Sequence, residues 1–385
     1  MNVGVVTSTN GSVDVVVIGG GIAGASVAYE LAAHRRVLLL EAEQALATHS
    51  TARSAATYIP GHGTGPVRAL VAASLERFAA LAEELDAPPL LTPRMVVWAG
   101  FDDDGRGVDA LLAERVGEPF APQRITPEEA ERLSPVLRPG AVHAAALTTE
   151  SADIDAAALH AAFVRGLRRR GGQVRTSTRV TGIDRLADGW RVHVGDSATD
   201  VPDVVDAAGA WADVVAAAAG VAPIGLTPLR RTAAVLSVAE PERLAGVDGG
   251  LQPMVTEVEE RFYFKTESGG LLASPGDETP SDPVDARPDE LDVALALERV
   301  AAVTTLGLRS VRTSWAGLRS FVADRRPVVG SRPQDPGFHF VAGQGGSGIE
   351  TSPALGALAA AVIAGTSVPE DIALDPRELS PSRLM

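Results

Sequence analysis

No cysteine occurs anywhere in the 385 residues. That absence excludes disulfides, thiolate metal sites, iron–sulfur clusters, cysteine nucleophiles and any cofactor tethered through a cysteine. Aromatic residues make up only 4% of the chain, so the core has to be assembled from Ala, Val and Leu. Positive charge is also short: 34 Lys and Arg against 49 Asp and Glu leave a formal net charge of −15. A nucleic-acid surface needs a basic face, and the one basic run, "LRRR" at 167–170, reads as the solvated end of a helix. Long apolar runs are missing as well. The most apolar late stretch, residues 353–365, is too short to cross a bilayer. The opening "MNVGVVTSTNGS" lacks the basic-then-apolar order of a signal peptide. The expectation is a cytoplasmic protein with no transmembrane segment and no nucleic-acid partner. Seven scattered histidines show no metal-ligand spacing, and no G-x-S-x-G elbow follows a strand. Neither a metal centre nor a serine triad is expected.

What is present begins with "VVVIGGGIAGASVAYELA" at 15–32. Val13–Ile18 is an unbroken apolar run ended by glycines, as a buried parallel strand should be. Gly19, Gly21 and Gly24 follow as G-x-G-x-x-G, and Ile22–Ala33 reads as a helix. The first glycine permits the tight turn, the second lets a pyrophosphate approach the backbone, and the third lets helix and strand pack closely. The helix N-terminus supplies N–H groups and partial positive charge for the phosphates. Glu41 ends the next strand, 17 residues past Gly24, where a carboxylate can accept ribose hydroxyls. These features predict dinucleotide binding without separating NAD from FAD. The following loop, "ATHSTARSAATY", shrinks to Ser50, Thr51, Ser54, Ala55 and Ala56, as if a flat ring lay against backbone.

Farther on, "LLTPRMVVWAG" reads as a strand and "TPEEAERLSPVL" as a helix with Thr126 as N-cap. "IDAAALHAAFVRGLRRRG" reads as a helix, "QVRTSTRVTGIDRL" as a strand pair, and "VPDVVDAAGAW" as a buried strand ending in a glycine turn. "LTPLRRTAAVLSV" and "RFYFKTESGGLLASP" look like strands of a separate sheet, and residues 280–304 contain one acidic amphipathic helix. The fold class expected is α/β, a Rossmann-like nucleotide-binding domain interleaved with an α+β domain on a mixed or antiparallel sheet. Residues 1–11 read as a leader and 376–385 as a tail. The nucleotide-binding domain takes 12–89, 148–222 and 306–375, and the substrate domain takes 90–147 and 223–305.

These motifs together resemble a family. "DVVVIGGGIAGASVAYEL", "VLLLEAE", "HSTARSAA", "SADIDAAALH", "VVDAAGAWAD", "RRTA", "FYFK", "WAGLRSFVAD" and "GQGGSGIETS" occur in the order found in the FAD-dependent D-amino-acid oxidase superfamily. Within it they are most similar to the bacterial D-amino-acid dehydrogenases, D-arginine dehydrogenase in particular. The likeness runs from about residue 12 to the final "SPSRL". It implies FAD as cofactor; with no cysteine and no histidyl-flavin signature in the chain, no covalent link is expected. It implies that Glu41 binds the adenosine ribose, that Val180 meets the adenine side, and that Ser50, Thr51, Ser54 and Ala55 line the flavin. Gly209 and Trp211 then lie near the pyrophosphate. Ile22, Ala23, Ala42, Ala56, Gly317, Ile349 and Thr351 join the implied cofactor contacts.

The resemblance also places Arg231, Tyr263 and Arg319 around a substrate carboxylate. A guanidinium matches a planar carboxylate in a two-pronged contact, and a tyrosine adds a neutral donor. Neighbouring residues of a strand point to opposite faces, so only one of Arg230 and Arg231 can face the pocket. The activity expected is oxidation of a D-amino acid by hydride transfer from Cα–H to the flavin, giving an imine that hydrolyses to a 2-oxo acid and ammonia. Glycine, sarcosine or another secondary amino acid is the alternative on the same fold. A 2-hydroxy-acid flavoenzyme, or a dinucleotide-binding protein without turnover, is the more distant one. Such oxidation needs little acid–base equipment, and no catalytic base is nominated.

A second glycine turn, "AGQGGSGIETSP" at 342–353, opens the last helix. Gly345, Gly346 and Gly348 suggest a helix N-terminus aimed at the flavin edge where negative charge grows during reduction. Here the chain departs from the D-arginine dehydrogenase pattern: "GGYGIQ" becomes "GGSGIE", introducing Ser347 and Glu350. His62 replaces the tyrosine of the lid loop, and the segment that carries a substrate-gripping acid is shorter and offers Arg94. His62, Ser347 and Glu350 are therefore candidate substrate contacts. Glu350 would favour a cationic substrate side chain, and Arg94 an acidic or neutral one.

Overall fold

The computed structural model describes residues 12–101, 105–267 and 269–384. The leader expected at 1–11 lies outside the described residues. The apolar runs Val15–Ile18 and Val37–Leu40 are buried along their whole length. They pair in parallel, and the sheet grows to six strands in the order Val328–Gly330, Phe338–Ala342, Asp203–Asp206, Val15–Ile18, Val37–Leu40, Gln173–Arg175. All its pairs are parallel except the edge strand Val328–Gly330. Alternation assigns Val15 and Val17 to one core and Val16 and Ile18 to the other, so the sheet is covered on both faces. On the first face Ile22–Leu31 packs between Ala156–Arg169 and Gly348–Ala364. Gly356 allows the closest approach: a Cβ there would meet Ser26 Cβ at 2.9 Å.

The second sheet is larger and mainly antiparallel. Its order is Thr279–Pro280, Thr227–Ser237, Gly270–Ser274, Tyr263–Glu267, Met254–Glu257, Val96–Gly100, Ala144–Thr148, Gln123–Ile125, with Ser310–Phe321 paired to the outer side of Thr227–Ser237. Helix Glu290–Val303 covers one face of it. Thr126 caps Pro127–Leu133 as expected, its Oγ1 accepting from the Glu129 N–H. Among the described residues no helix is long and apolar enough to cross a membrane, and no cluster of His, Cys, Asp and Glu could hold a metal.

Three readings of the sequence change. "LLTPRMVVWAG" is two strands, Leu91–Pro93 and Val96–Gly100, which belong to different sheets and break at Arg94. The pair in "QVRTSTRVTGIDRL" also divides: Gln173–Arg175 joins the six-stranded sheet, and Gly182–Leu186 begins a separate three-stranded meander. Ser310–Phe321, inside the 306–375 segment expected to join the nucleotide-binding half, is paired throughout with Thr227–Ser237 in the large sheet. The pairing partners lie about eighty residues away, and no local pattern announces them.

Candidate active site

A long cavity runs between the two sheets. The glycine turn forms one end. Gly19 has φ +106°, and a Cβ there would lie 2.5 Å from the Ala207 carbonyl. Gly21 faces Thr51, whose Oγ1 accepts from the Ile22 N–H at 3.0 Å. The N-cap of helix Ile22–Leu31 is Gly21, which has no side chain, so beyond the Thr51 contact the helix N-terminus faces the cavity and can receive an anion. Buried His160 donates Nε2–H to the Gly20 carbonyl at 2.9 Å, bracing the turn from behind. Burial pushes this imidazole below its ordinary pKa, with the Gly20 carbonyl opposing, so it stays neutral. Glu41 Oε2 accepts the Gly20 N–H and Oε1 accepts the Glu43 N–H, which fixes the carboxylate at the cavity wall.

The middle of the cavity is lined by Ala42, Ser50, Thr51, Ser54, Ala55, Val180, Gly209, Trp211 and Gly317, with Ile22 and Ala23 nearby. The strip from Ser50 to Ala56 is pinned at several points. Ser50 Oγ donates to the Leu318 carbonyl, Trp315 Nε1 donates to the Arg53 carbonyl, and Lys265 Nζ donates to the Ala55 carbonyl. His49 lies against Trp211 with ring centroids 4.7 Å apart. The second glycine turn closes the opposite wall through Gly345, Gly346, Gly348 and Ile349. Gly346 lies beside Arg319: a Cβ there would stand 3.0 Å from Arg319 Nη1, so the glycine leaves that guanidinium its place. A glycine cradle, a fixed carboxylate 22 positions beyond Gly19 and a strip of small side chains together suit a dinucleotide with a flat ring.

The far end is polar. Arg231, Tyr263 and Arg319 line both the long cavity and a small chamber that opens from it. Strand register explains their convergence. Arg231 opposes Gly317 and Leu229 opposes Arg319, so both guanidinium side chains rise from the same face. Arg230 points the other way, to Asp292 at 2.9 Å. Arg231 is held by the Asp277 carbonyl and Glu278, whereas Arg319 has no hydrogen bond or ion pair among the described residues. Burial and then the like charge of Arg319 lower the Arg231 pKa, which marks a place prepared for an anion.

The small chamber is lined by Ala56, Ile59, Trp98, Met254, Thr256, His62, Glu260 and Glu350. His62 Nδ1 lies 2.9 Å from Glu350 Oε1 and 3.2 Å from Ser347 Oγ, and its Nε2 lies 3.7 Å from Glu260 Oε1. Burial lowers the His62 pKa, but the Glu350 and Glu260 carboxylates together outweigh burial and the opposing charge of Arg319, for a net increase.

Several residues stand elsewhere than the sequence suggested. Gly24, counted with the cofactor loop, lines neither cavity itself; its missing Cβ would sit 1.9 Å from the Gly19 carbonyl, the close packing read for the third glycine. Thr351 is buried and donates Oγ1–H to the Ser347 carbonyl, within the helix rather than towards the cavity. Ser347 is buried behind His62. Glu350 has both oxygens engaged, one by His62 and the other by the Ile59 N–H at 3.1 Å. Arg94 is outside the site: it is buried against Asp153, the Gln252 carbonyl and Thr266. Glu260, Trp98, Met254 and Thr256 were not read from the sequence. Glu260 sits in the turn before Tyr263 with φ +58°, and its acidic character between two apolar runs was the available signal.

Comparison with known proteins agrees with this architecture. Glycine oxidase of Bacillus licheniformis is 26% identical over 364 residues, covering 92% of this chain and 94% of the relative. Mitochondrial dimethylglycine dehydrogenase of Rattus norvegicus is 28% identical over 277 residues, which span 68% of this chain and 30% of that protein. The crystal structure of glycine oxidase from Geobacillus kaustophilus superposes with a TM-score of 0.82 at 24% identity, covering 97% of this chain and 99% of the other. The description "FAD dependent oxidoreductase" matches residues 14–362, and the chain belongs to that family, DAO, whose cofactor is FAD.

Proposed function

We propose that the protein oxidises the Cα–N bond of a small amino acid, glycine or an N-methylated glycine such as sarcosine. One observation carries this reading: Arg231, Arg319 and Tyr263 converge on a chamber walled by Ile59, Trp98 and Met254. Two guanidiniums and a phenol suit a carboxylate. The bulky apolar walls leave little depth for a substrate side chain. Two of the relatives named above bear the names glycine oxidase and dimethylglycine dehydrogenase, which supports the same substrate class over D-amino acids.

FAD, when bound, supplies the two-electron oxidation of the amine to an imine. Gly19, Gly21, Glu41, the Ser50–Ala55 strip and the Gly345–Gly348 turn would hold it. The chain's own contribution to rate is position. Arg319 and Arg231 fix the carboxylate, Tyr263 adds a donor, and the apolar walls exclude water from the reacting carbon. The D-amino-acid reading keeps one observation in its favour: Glu260 faces the chamber, where a cationic side chain would meet it.

The test is anaerobic bleaching of the flavin-loaded protein by glycine, sarcosine, D-arginine, D-methionine, D-glutamate and a 2-hydroxy acid. Fastest bleaching by glycine or sarcosine is expected. Fastest bleaching by D-arginine would replace this substrate class with the second, and bleaching by the hydroxy acid alone would overturn both.

A further inference from the structure

Two carboxylates flank one imidazole in the substrate chamber, and the three groups come from three separate parts of the chain. His62 stands in the loop after Thr57–Tyr58, Glu350 in the first turn of Gly348–Ala364, and Glu260 in the turn between Met254–Glu257 and Tyr263–Glu267. Glu350 is 4% exposed, and its oxygens can only accept. The contact at 2.9 Å therefore puts the ring hydrogen of neutral His62 on Nδ1, which leaves the Nε2 lone pair facing the chamber on the Glu260 side. An imidazole held at one nitrogen by a buried carboxylate, with the other nitrogen open to a pocket, is the arrangement of an oriented base.

A base has a task here, given the amino-acid reading above, on which this inference rests. An amino acid reaches the chamber as a zwitterion. Its carboxylate is taken by Arg231 and Arg319, and its ammonium is left near His62 and Glu260. An ammonium nitrogen has no lone pair and cannot become an imine nitrogen until it gives up a proton. We infer that His62 accepts that proton at Nε2, with Glu350 as the positioning residue that fixes the tautomer and steadies the imidazolium. The step is a proton transfer only: one N–H bond of the ammonium breaks, Nε2–H forms, and the electron pair stays on the substrate nitrogen. Glu260, with Oε1 3.7 Å from that Nε2, then shares the charge of the imidazolium.

The surroundings favour the exchange. Glu350 and Glu260 raise the basicity of His62 and bring it nearer to that of an amine, while burial and Arg319 oppose them. Arg319 is also the group that holds the carboxylate, so its opposing charge is partly cancelled once substrate is bound.

The experiment uses the flavin-loaded full chain. His62→Asn keeps an amide N–H for Glu350 and removes the titrating nitrogen; Glu350→Gln keeps the loop contact and removes the charge. Three quantities are measured: kcat/KM for glycine against pH, the dissociation constant of propionate, and the His62 imidazole pKa by NMR. Propionate has the carboxylate and no amine. For wild type, kcat/KM should rise with pH through the His62 value. In His62→Asn that limb should vanish and kcat/KM at neutral pH should fall about 100-fold, with propionate binding unchanged. In Glu350→Gln the limb and the NMR value should both move to lower pH. In wild type, 2-aminoisobutyrate, which has no Cα–H to lose, should protonate His62 on binding. An unmoved limb in His62→Asn would overturn the inference. So would equal losses of propionate binding and kcat/KM, or a His62 that stays neutral when 2-aminoisobutyrate binds. The amino-acid reading fails separately, when no amine substrate bleaches wild type and a 2-hydroxy acid does.

Discussion

His62 and Glu350 stand 288 positions apart in the chain, and their side chains meet at 2.9 Å between Nδ1 and Oε1. The second oxygen of the same carboxylate takes the Ile59 N–H. One buried acid thus holds two points of a loop whose glycines, Gly61 and Gly63, have φ of +75° and +83°. The pair has a consequence for stability. The folded-state pKa of His62 lies above its ordinary value, so the pair's contribution is fully present below about pH 6.5 and is lost as pH rises through the raised folded value. The melting temperature of Glu350→Ala should fall furthest below wild type near pH 6, and the gap should narrow towards pH 9. Thermal scans across that range check it, and a gap that widens with pH contradicts the assignment.

Arg319 offers a clean test of carboxylate binding. Among the described residues it has no ion pair, so replacing it strands no protein carboxylate. Arg231 is different, because it also ties down the Asp277 carbonyl and Glu278. Arg319→Leu should therefore lower kcat/KM for the amino-acid substrate on the order of 10- to 100-fold, the loss of one charge-assisted contact. Propionate affinity should fall with it, and the flavin content should stay at the wild-type level. Unchanged propionate binding would remove Arg319 from the site.

How much of this could be read from the chain depends on the distance over which each feature is decided. The first glycine turn was readable because strand, turn and helix are consecutive, and its acid, Glu41, ends the next strand. The opposite facing of Arg230 and Arg231 follows from the period of a strand, wherever that strand is placed. Arg94 was misread because its partners, Asp153, Gln252 and Thr266, lie 59, 158 and 172 residues away. No local pattern distinguishes an arginine buried in such a net from one that lines a pocket. Glu350 was read as a free acid for the same reason. Glu260 escaped notice because its left-handed turn conformation, which aims it at the chamber, is set by the hairpin that it belongs to and not by its neighbours' composition.

Gly24 and Gly171 separate a packing glycine from a conformational one. A methyl group at Gly24 would lie 1.9 Å from the Gly19 carbonyl, a backbone atom that cannot move without opening the turn. Gly171 has φ +83° with nothing within 4 Å of a Cβ. Gly24→Ala should be purified with little flavin and a lowered melting temperature. Gly171→Ala should cost about 1–2 kcal/mol of left-handed strain and keep its full flavin absorbance. Absorbance per protein and a thermal scan of both variants decide it, and a flavin-replete Gly24→Ala would contradict the packing account.

Asp153 stands between two buried cations. Its Oδ2 accepts from Arg94 Nε at 2.7 Å and its Oδ1 from Lys265 Nζ at 2.7 Å. Arg94 and Lys265 have side-chain exposures of 3% and 2%, so neither can turn to water when its partner is lost. Lys265 also donates to the Ala55 carbonyl, so the strip expected to lie along the flavin is tied to the large sheet through this same ammonium. Removing the carboxylate leaves two positive charges desolvated beside each other, a change that costs roughly 3–5 kcal/mol for a buried pair. Asp153→Ala should shift the urea unfolding midpoint down by that amount of stability, and the loss should be larger than that of Asp153→Asn, which keeps one acceptor. The flavin should also be released at lower urea than the concentration that unfolds the sheet, because Lys265 no longer has a fixed position from which to hold Ala55. Release and unfolding at the same urea concentration would show that the strip does not depend on Lys265.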